Sequence, residues 1–175
     1  MLQKRLCEFI SSQYCERCLD IGAGKGHMAL LAASYGLKVD AVDPQVMKKW
    51  RFPSYLINHP LIQFYPISIE TFVWDKQYDL ILCSNVLMFF SRRKVFGWLL
   101  PQIYTSLSSK GILLISFLDK EDPSMRIHNH YELSDFLALE GRNLLKYDSH
   151  RIEEEHPPLG KHQHLVHTLL LQKDT

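Results

Sequence analysis

Asp20-Ile21-Gly22-Ala23-Gly24-Lys25-Gly26 sets three glycines between an apolar run and a helical pattern, and Asp43 closes the next apolar run 21 residues (43 − 22) past Gly22. The glycines fall where a buried strand, Arg17-Cys18-Leu19-Asp20-Ile21, must turn sharply into a helix that begins at His27. Backbone without Cβ atoms lets a flat ligand lie against such a turn. A carboxylate about 20 residues further on is spaced to accept hydrogen bonds from the two hydroxyls of a ribose. These residue types in this order suit the binding of a nucleoside-containing cofactor.

A dinucleotide turn carries Gly-x-Gly-x-x-Gly and aims a helix N-terminus at a pyrophosphate. Here the third glycine comes one residue early and His27 takes the dinucleotide position. Asp20, two residues before Gly22, would repel a pyrophosphate and suits a ligand carrying a cationic amine and a sulfonium. The segment resembles the first motif of the class I S-adenosylmethionine-dependent methyltransferases, an acid followed by Gly-x-Gly-x-Gly, and the broader likeness runs from Cys18 to Phe117. Asp20 and His27 argue against a nicotinamide oxidoreductase.

The resemblance implies a cofactor site for S-adenosylmethionine. Backbone at Gly22, Ala23 and Gly24 lines the methionyl and ribose portions, Gly26 opens the helix, Asp20 faces the amine and Asp43 takes the ribose hydroxyls. Ile69, ending the third strand, lies beside the adenine; Glu70 is out of place for the acid often found there. Ser84 and Asn85 close the fourth strand and face the transferring methyl, Asn85 orienting the substrate. The Asn/Asp-Pro-Pro-aromatic box of the amino-directed DNA methyltransferases is replaced by Ser84-Asn85-Val86-Leu87, which argues against a flipped base as acceptor. Asp40 alternates with Asp43 along its strand and is expected to face the surface.

Histidines crowd the C-terminal half, among them those at positions 128, 130, 156, 162, 164 and 167. A group that titrates near neutrality can bind an anion or take a proton. His130 and His156, on loops expected over the ligand edge of the sheet, are the catalytic candidates beside Asn85. His162-x-His164 puts two rings on one strand face, a geometry able to hold a transition metal with a third ligand such as His156. That pattern is common on exposed strands, and no metal site is expected. Cys15 and Cys18 form a C-x-x-C without a second pair and read as packing residues.

Elements that position these residues alternate along the chain. Leu2, Leu6, Phe9 and Ile10 recur at helical spacing. Strands follow at 17–21, 38–42, 61–65, 78–83 and 111–117, separated by helices that end near Gly36 and run from Arg92 to Leu107 with a kink at Pro101. Residues 45–57 suggest a short helix and then an irregular stretch broken by Pro53. Residues 119–131 read as a polar connection over the ligand face, 133–139 as helix, and 144–152 and 165–172 as two final strands joined by about a dozen residues holding Pro157, Pro158 and Gly160. Such alternation implies an α/β fold with helices on both faces of the sheet. The expectation is a Rossmann-like, seven-stranded, mostly parallel sheet with an antiparallel last strand, forming one domain over residues 1–175.

The chain has 175 residues, 46% hydrophobic and 22% charged, with a formal charge of +1. That balance leaves no electrostatic footprint for nucleic acid. Arg92-Arg93-Lys94 is the one basic cluster and reads as a solvated helix face. No apolar run approaches the roughly 18 residues of a membrane helix, so no membrane partner is expected. Four cysteines and no secretory pattern at the N-terminus fit a cytoplasmic protein. A narrower likeness, in Tyr78-Asp79-Leu80-Ile81-Leu82, Val86-Leu87-Met88-Phe89-Phe90 and the His-rich last strand, points to the tellurite-resistance methyltransferases and related small-substrate enzymes. The expected reaction is in-line methyl transfer to a small or medium acceptor, a thiol or a chalcogen oxyanion among them. Methylation of RNA or protein, or a non-catalytic S-adenosylmethionine-binding subunit, are the alternatives.

Overall fold

A computed structural model describes residues 10, 15–45, 51–120, 122, 129–138, 141–156 and 160–174. Seven strands form one sheet in the order β3-β2-β1-β4-β5-β7-β6, with β1 Arg17–Ile21, β2 Lys38–Val42, β3 Ile62–Tyr65, β4 Tyr78–Ser84, β5 Leu107–Leu118, β6 Arg142–His156 and β7 Gly160–Lys173. β1 pairs in parallel with both β2 and β4. β7 runs antiparallel to β5 and to β6. The expected mostly parallel Rossmann-like sheet with an antiparallel last strand is therefore observed.

The central strands are apolar on both sides because both sides are covered. Leu19, Ile21, Ile81, Cys83, Leu113, Ile115 and Phe117 share one core. Their neighbours Cys18, Leu80, Leu82, Ile112 and Leu114 share the other. Helix α1 (His27–Ser34) lies on the second side through Ala29, Ala32 and Ala33, whose small side chains let it approach the strands closely. A short helix α2 (Ser54–Ile57) seals the same side with Leu56. The first side is covered by α3 (Arg92–Lys94), which passes through a π-helical turn (Val95–Leu99) into α4 (Leu100–Ser106), and by α5 (Leu133–Leu137). Among the described residues no helix is long and apolar enough to cross a membrane.

Three local readings need correction. Asp40 is buried, not surface-facing, because β2 is flanked by β1 and β3 and covered on both faces. Its carboxylate accepts from Lys76 Nζ at 2.8 Å and from the Tyr78 hydroxyl at 2.7 Å. The helix at Pro101 is not simply kinked. Proline cannot donate to the carbonyl four residues earlier, and the wider π turn before it absorbs the mismatch. The basic cluster is a solvated helix face, as read, on which Arg92 grips Asp135 of α5 through both terminal nitrogens, each at 2.5 Å, and Lys94 pairs with Glu70. Finally, β6 and β7 are far longer than their apolar runs and only residues 157–159 separate them. Within the 45–57 segment the described helix follows Pro53, and residues 46–50 lie outside the described residues, as do 1–9 of the leading helix.

Asp40→Ala is expected to lower stability by about 1–3 kcal/mol, since the buried Tyr78 hydroxyl loses its acceptor. A thermal melt of the variant beside Tyr78→Phe measures this, and the double variant should cost less than the two single losses added.

Candidate functional site

β1 has β2 on one side and β4 on the other, so the strand order reverses here, and ligands of open α/β sheets bind in the crevice at the carboxyl ends of the strands flanking such a point. Gly22, Ala23, Gly24, Asp43, Ser84 and Asn85 follow or close the carboxyl ends of β1, β2 and β4 at this point.

The glycine turn is a backbone cradle. Gly22 (φ 70°) and Gly26 (φ 73°) are left-handed, a region where a side chain is strained. Gly22 and Ala23 both donate to the Val42 carbonyl, at 2.8 and 3.1 Å, which ties the turn to the end of β2. Space is as restrictive as torsion: a Cβ on Gly22 would lie 2.2 Å from Val86 Cγ2, and one on Gly26 would lie 2.7 Å from Leu56 and from Phe52.

Two carboxylates bracket the turn. Asp43, half-buried just past β2, accepts from Gly24 N–H at 3.0 Å through one oxygen and from Gln45 N–H at 2.6 Å through the other. Each carboxylate oxygen has a further lone pair, so acceptor capacity is left for hydroxyl donors. Asp20 is 2% exposed. Burial pushes its carboxyl up to about 7, the Ala29 N–H of α1 pulls against that, and the nearby Asp43 adds to the rise. One Asp20 oxygen has no hydrogen-bond partner among the described residues. A buried acid with an unsatisfied oxygen beside a second acid is complementary to a cation. The residues thus fit a ligand with a ribose and an ammonium group.

The next strand end is held by hydroxyls. Ser84 and Ser116 Oγ atoms lie 2.8 Å apart, and Asn85 donates its N–H to Ser116 O and Oγ while its side-chain oxygen accepts from that hydroxyl. Asn85 is left-handed (φ 54°), as is Gln45 (φ 57°), so two non-glycine residues flank the crevice in a sparsely populated region. The Asn85 side chain is engaged in this serine cluster. Ile69 is not at the end of β3, which stops at Tyr65; it sits in the following turn, buried in the core with Val42 and Phe72.

The histidines divide differently from expectation. His130 is exposed, its carbonyl accepting from Arg92 at 3.4 Å, and Asn129 beside it is bound to the Met88 carbonyl. His156 ends β6 opposite Gly160, and its side chain lies outside the described residues, as does His128. Tyr131 is buried under Arg92 and donates to the carbonyls of Leu87 and Phe90. The structure brings forward a group the sequence did not single out. His167 Nε2 is 2.8 Å from Asp119 Oδ2, and its Nδ1 is 2.8 Å from the Tyr147 hydroxyl. Asp119 and His167, with Lys120, Glu132, Leu133 and Ser134, line a cavity of about 270 Å³. Asp119 lies three residues past Ser116, about 10 Å at the usual rise per residue. No local signal marks the pair; only the β5–β7 register, which sets Phe117 opposite His167, brings them together.

A family model for the methyltransferase domain matches residues 2–167. No curated protein matches the sequence. Among solved structures, TehB from Haemophilus influenzae superposes with a TM-score of 0.73 at 17% identity, covering 98% of this chain and 62% of that one. The N-methyltransferase NodS from Bradyrhizobium japonicum WM9, in complex with S-adenosyl-L-homocysteine, gives 0.71 at 16% identity, with 99% and 86% covered. The 1,6-didemethyltoxoflavin-N1-methyltransferase of Burkholderia thailandensis, with 1,6-didemethyltoxoflavin and S-adenosylhomocysteine bound, gives 0.71 at 19%, with 99% and 76% covered. The chain thus spans under two thirds of TehB and most of the other two. With motif, strand order and family model in accord, this chain belongs to the methyltransferase domain family and is a class I S-adenosylmethionine-dependent methyltransferase.

Proposed function

We propose that the chain transfers a methyl group to a small or medium acceptor, through sulfur, oxygen, nitrogen or a chalcogen, at the edge formed by Ser84, Asn85 and Ser116. The observation that carries the cofactor half of this reading is the buried, unsatisfied oxygen of Asp20 beneath the glycine turn, beside Asp43. In it, Asp20 faces the cofactor amine, Asp43 the ribose hydroxyls, Gly22, Ala23, Gly24 and Gly26 supply backbone, Ser84 bounds the methyl end, and Ile69 backs the adenine side. Bound S-adenosylmethionine supplies a methyl group already activated by its sulfonium. The chain's task is then to align the acceptor, which is worth roughly 7–11 kcal/mol of barrier when the geometry is good.

The acceptor half rests on the cavity at Asp119 and His167. Asp119 accepts from His167 Nε2–H, which leaves Nδ1 to accept from the Tyr147 hydroxyl. Both ring nitrogens are thus engaged, so a proton from the acceptor reaches Nδ1 by relay, the Tyr147 hydroxyl passing its hydrogen to Nδ1 and taking the acceptor's in exchange, while Asp119 stabilises the resulting imidazolium. His167 therefore joins Asn85, His130 and His156 as a proposed acceptor-side residue. The small-molecule methyltransferases among the structural neighbours support a small acceptor, and a thiol or chalcogen oxyanion is the first class to screen. His167→Ala is expected to lower turnover of a protonated acceptor by about 100-fold or more, the scale of general acid–base catalysis, with S-adenosylmethionine affinity nearly unchanged. Steady-state kinetics beside calorimetry separate the two; wild-type turnover would remove His167 from the reaction.

Asp20 adds a pH signature. Its folded value is raised, so the acid favours the folded apoprotein at low pH, and that contribution fades as pH climbs from about 4 through about 7. A cofactor ammonium needs the ionised form, so affinity should rise about tenfold between pH 5.5 and 7. Asp20→Asn should flatten that rise, and an unaltered slope in the variant would place the amine elsewhere.

A further inference from the structure

The ribbon of β6 and β7 extends past the sheet, because β5 ends at Leu118 opposite Val166. On the free part of β7, His162 and His164 share one strand face. Their Nε2 atoms are 2.9 Å apart and their rings nearly perpendicular, at 87°. Each ring is pinned through its other nitrogen: His162 Nδ1 lies 2.8 Å from the Gly160 carbonyl, and His164 Nδ1 lies 2.7 Å from Asp122 Oδ2.

Hydrogen inventory then decides what fits between the rings. Carbonyl and carboxylate oxygens only accept, so both Nδ1 atoms must carry hydrogen. A neutral imidazole has a single N–H, which leaves a lone pair on each Nε2 with the two atoms 2.9 Å apart. Such a pair is repulsive unless a cation is shared between them, either a proton or a metal ion. The surroundings are those of a metal centre. Liganding histidines commonly donate their second N–H to a carboxylate or a backbone carbonyl, and both do so here. The Asp122 side chain is 0% exposed and that of His164 8%, so the negative charge is held in a dry setting, while half-buried His162 leaves a route for entry.

We propose that His162 and His164 bind one divalent transition metal through Nε2, with Asp122 as the positioning carboxylate, which reverses the expectation from sequence. With metal–nitrogen distances of about 2.0–2.1 Å, a 2.9 Å separation corresponds to an N–metal–N angle of about 90°. A right angle belongs to tetragonal or octahedral geometry, so the pair favours Cu(II) or Ni(II) over tetrahedral Zn(II). No group of three or more His, Cys, Asp or Glu side chains that could hold a metal is assembled among the described residues, so the proposed site has two protein ligands from this face of β7.

The test is calorimetric titration of the chelator-stripped full chain with Cu(II), Ni(II) and Zn(II), with the electron paramagnetic resonance spectrum of the copper form. One Cu(II) per chain with nitrogen hyperfine structure, and weaker Zn(II), is the expected result. His162→Gln and His164→Gln should each abolish that stoichiometric site, and Asp122→Asn should weaken it by about 10- to 100-fold. S-adenosylhomocysteine binding by each variant, measured in parallel, reports that it is folded. Absence of stoichiometric Cu(II) and Ni(II) binding by the wild-type chain, or equal binding by a folded His162→Gln, would overturn the proposal.

Discussion

Asp43→Ala is expected to weaken S-adenosylmethionine binding by about 10- to 100-fold, because hydrogen bonds to a charged acceptor contribute about 1.5–3 kcal/mol each. Direct ribose contacts are one part of that loss. The carboxylate also holds Gly24 N–H and Gln45 N–H, so its removal releases the glycine turn on one side and left-handed Gln45 on the other. Asp43→Asn keeps one carbonyl acceptor and should fall between the variant and the wild type. Calorimetry on folded protein measures both. Unchanged affinity in folded Asp43→Ala would mean that the ribose is bound elsewhere.

Gly22→Ala should have the larger effect on stability. A side chain at φ 70° costs about 1–2 kcal/mol. The new Cβ would also meet Val86 Cγ2 at 2.2 Å, and Val86 is a stiff β-branched residue packed in the core under the turn. Overpacking of that kind adds about 1–3 kcal/mol. The sum, about 2–5 kcal/mol, corresponds to a fall in Tm of roughly 5–15 °C for a domain of this size. Gly22→Ala combined with Val86→Ala separates the causes. The double variant should relieve the clash and keep the torsional strain; a wild-type Tm in Gly22→Ala alone would contradict both causes.

How far these residues were legible depends on where their constraints come from. Arg17–Ile21, the glycine turn and Lys38–Val42 could be read directly, since apolar residues dominate strands covered on both faces and a sharp strand-to-helix turn favours glycine. Asp40 misled because alternation assumes one wet face, and β2 has none; its rescue by Lys76 and Tyr78 is a long-range contact. The last two strands were read short for the opposite reason. Past Leu118 the ribbon leaves the sheet, so residues such as Glu153, Lys161 and Gln163 are polar within a strand and end the apolar pattern early. The pairing of Asp119 with His167, and of Asp122 with His164, depends on strand register across more than 40 residues and leaves no local trace. His130 and His156 were chosen by loop position, whereas His164 and His167, which the fold sets against Asp122 and Asp119, stand on β7.

The central claim is that the glycine turn with Asp20 and Asp43 holds an adenosyl cofactor for methyl transfer. Calorimetric titration of the purified chain with S-adenosylmethionine, S-adenosylhomocysteine and NADH tests it most directly. Binding of the first two at one site per chain, lost in Asp43→Ala, with no binding of NADH, is the predicted result. Absence of binding by either adenosyl ligand to folded protein would contradict it.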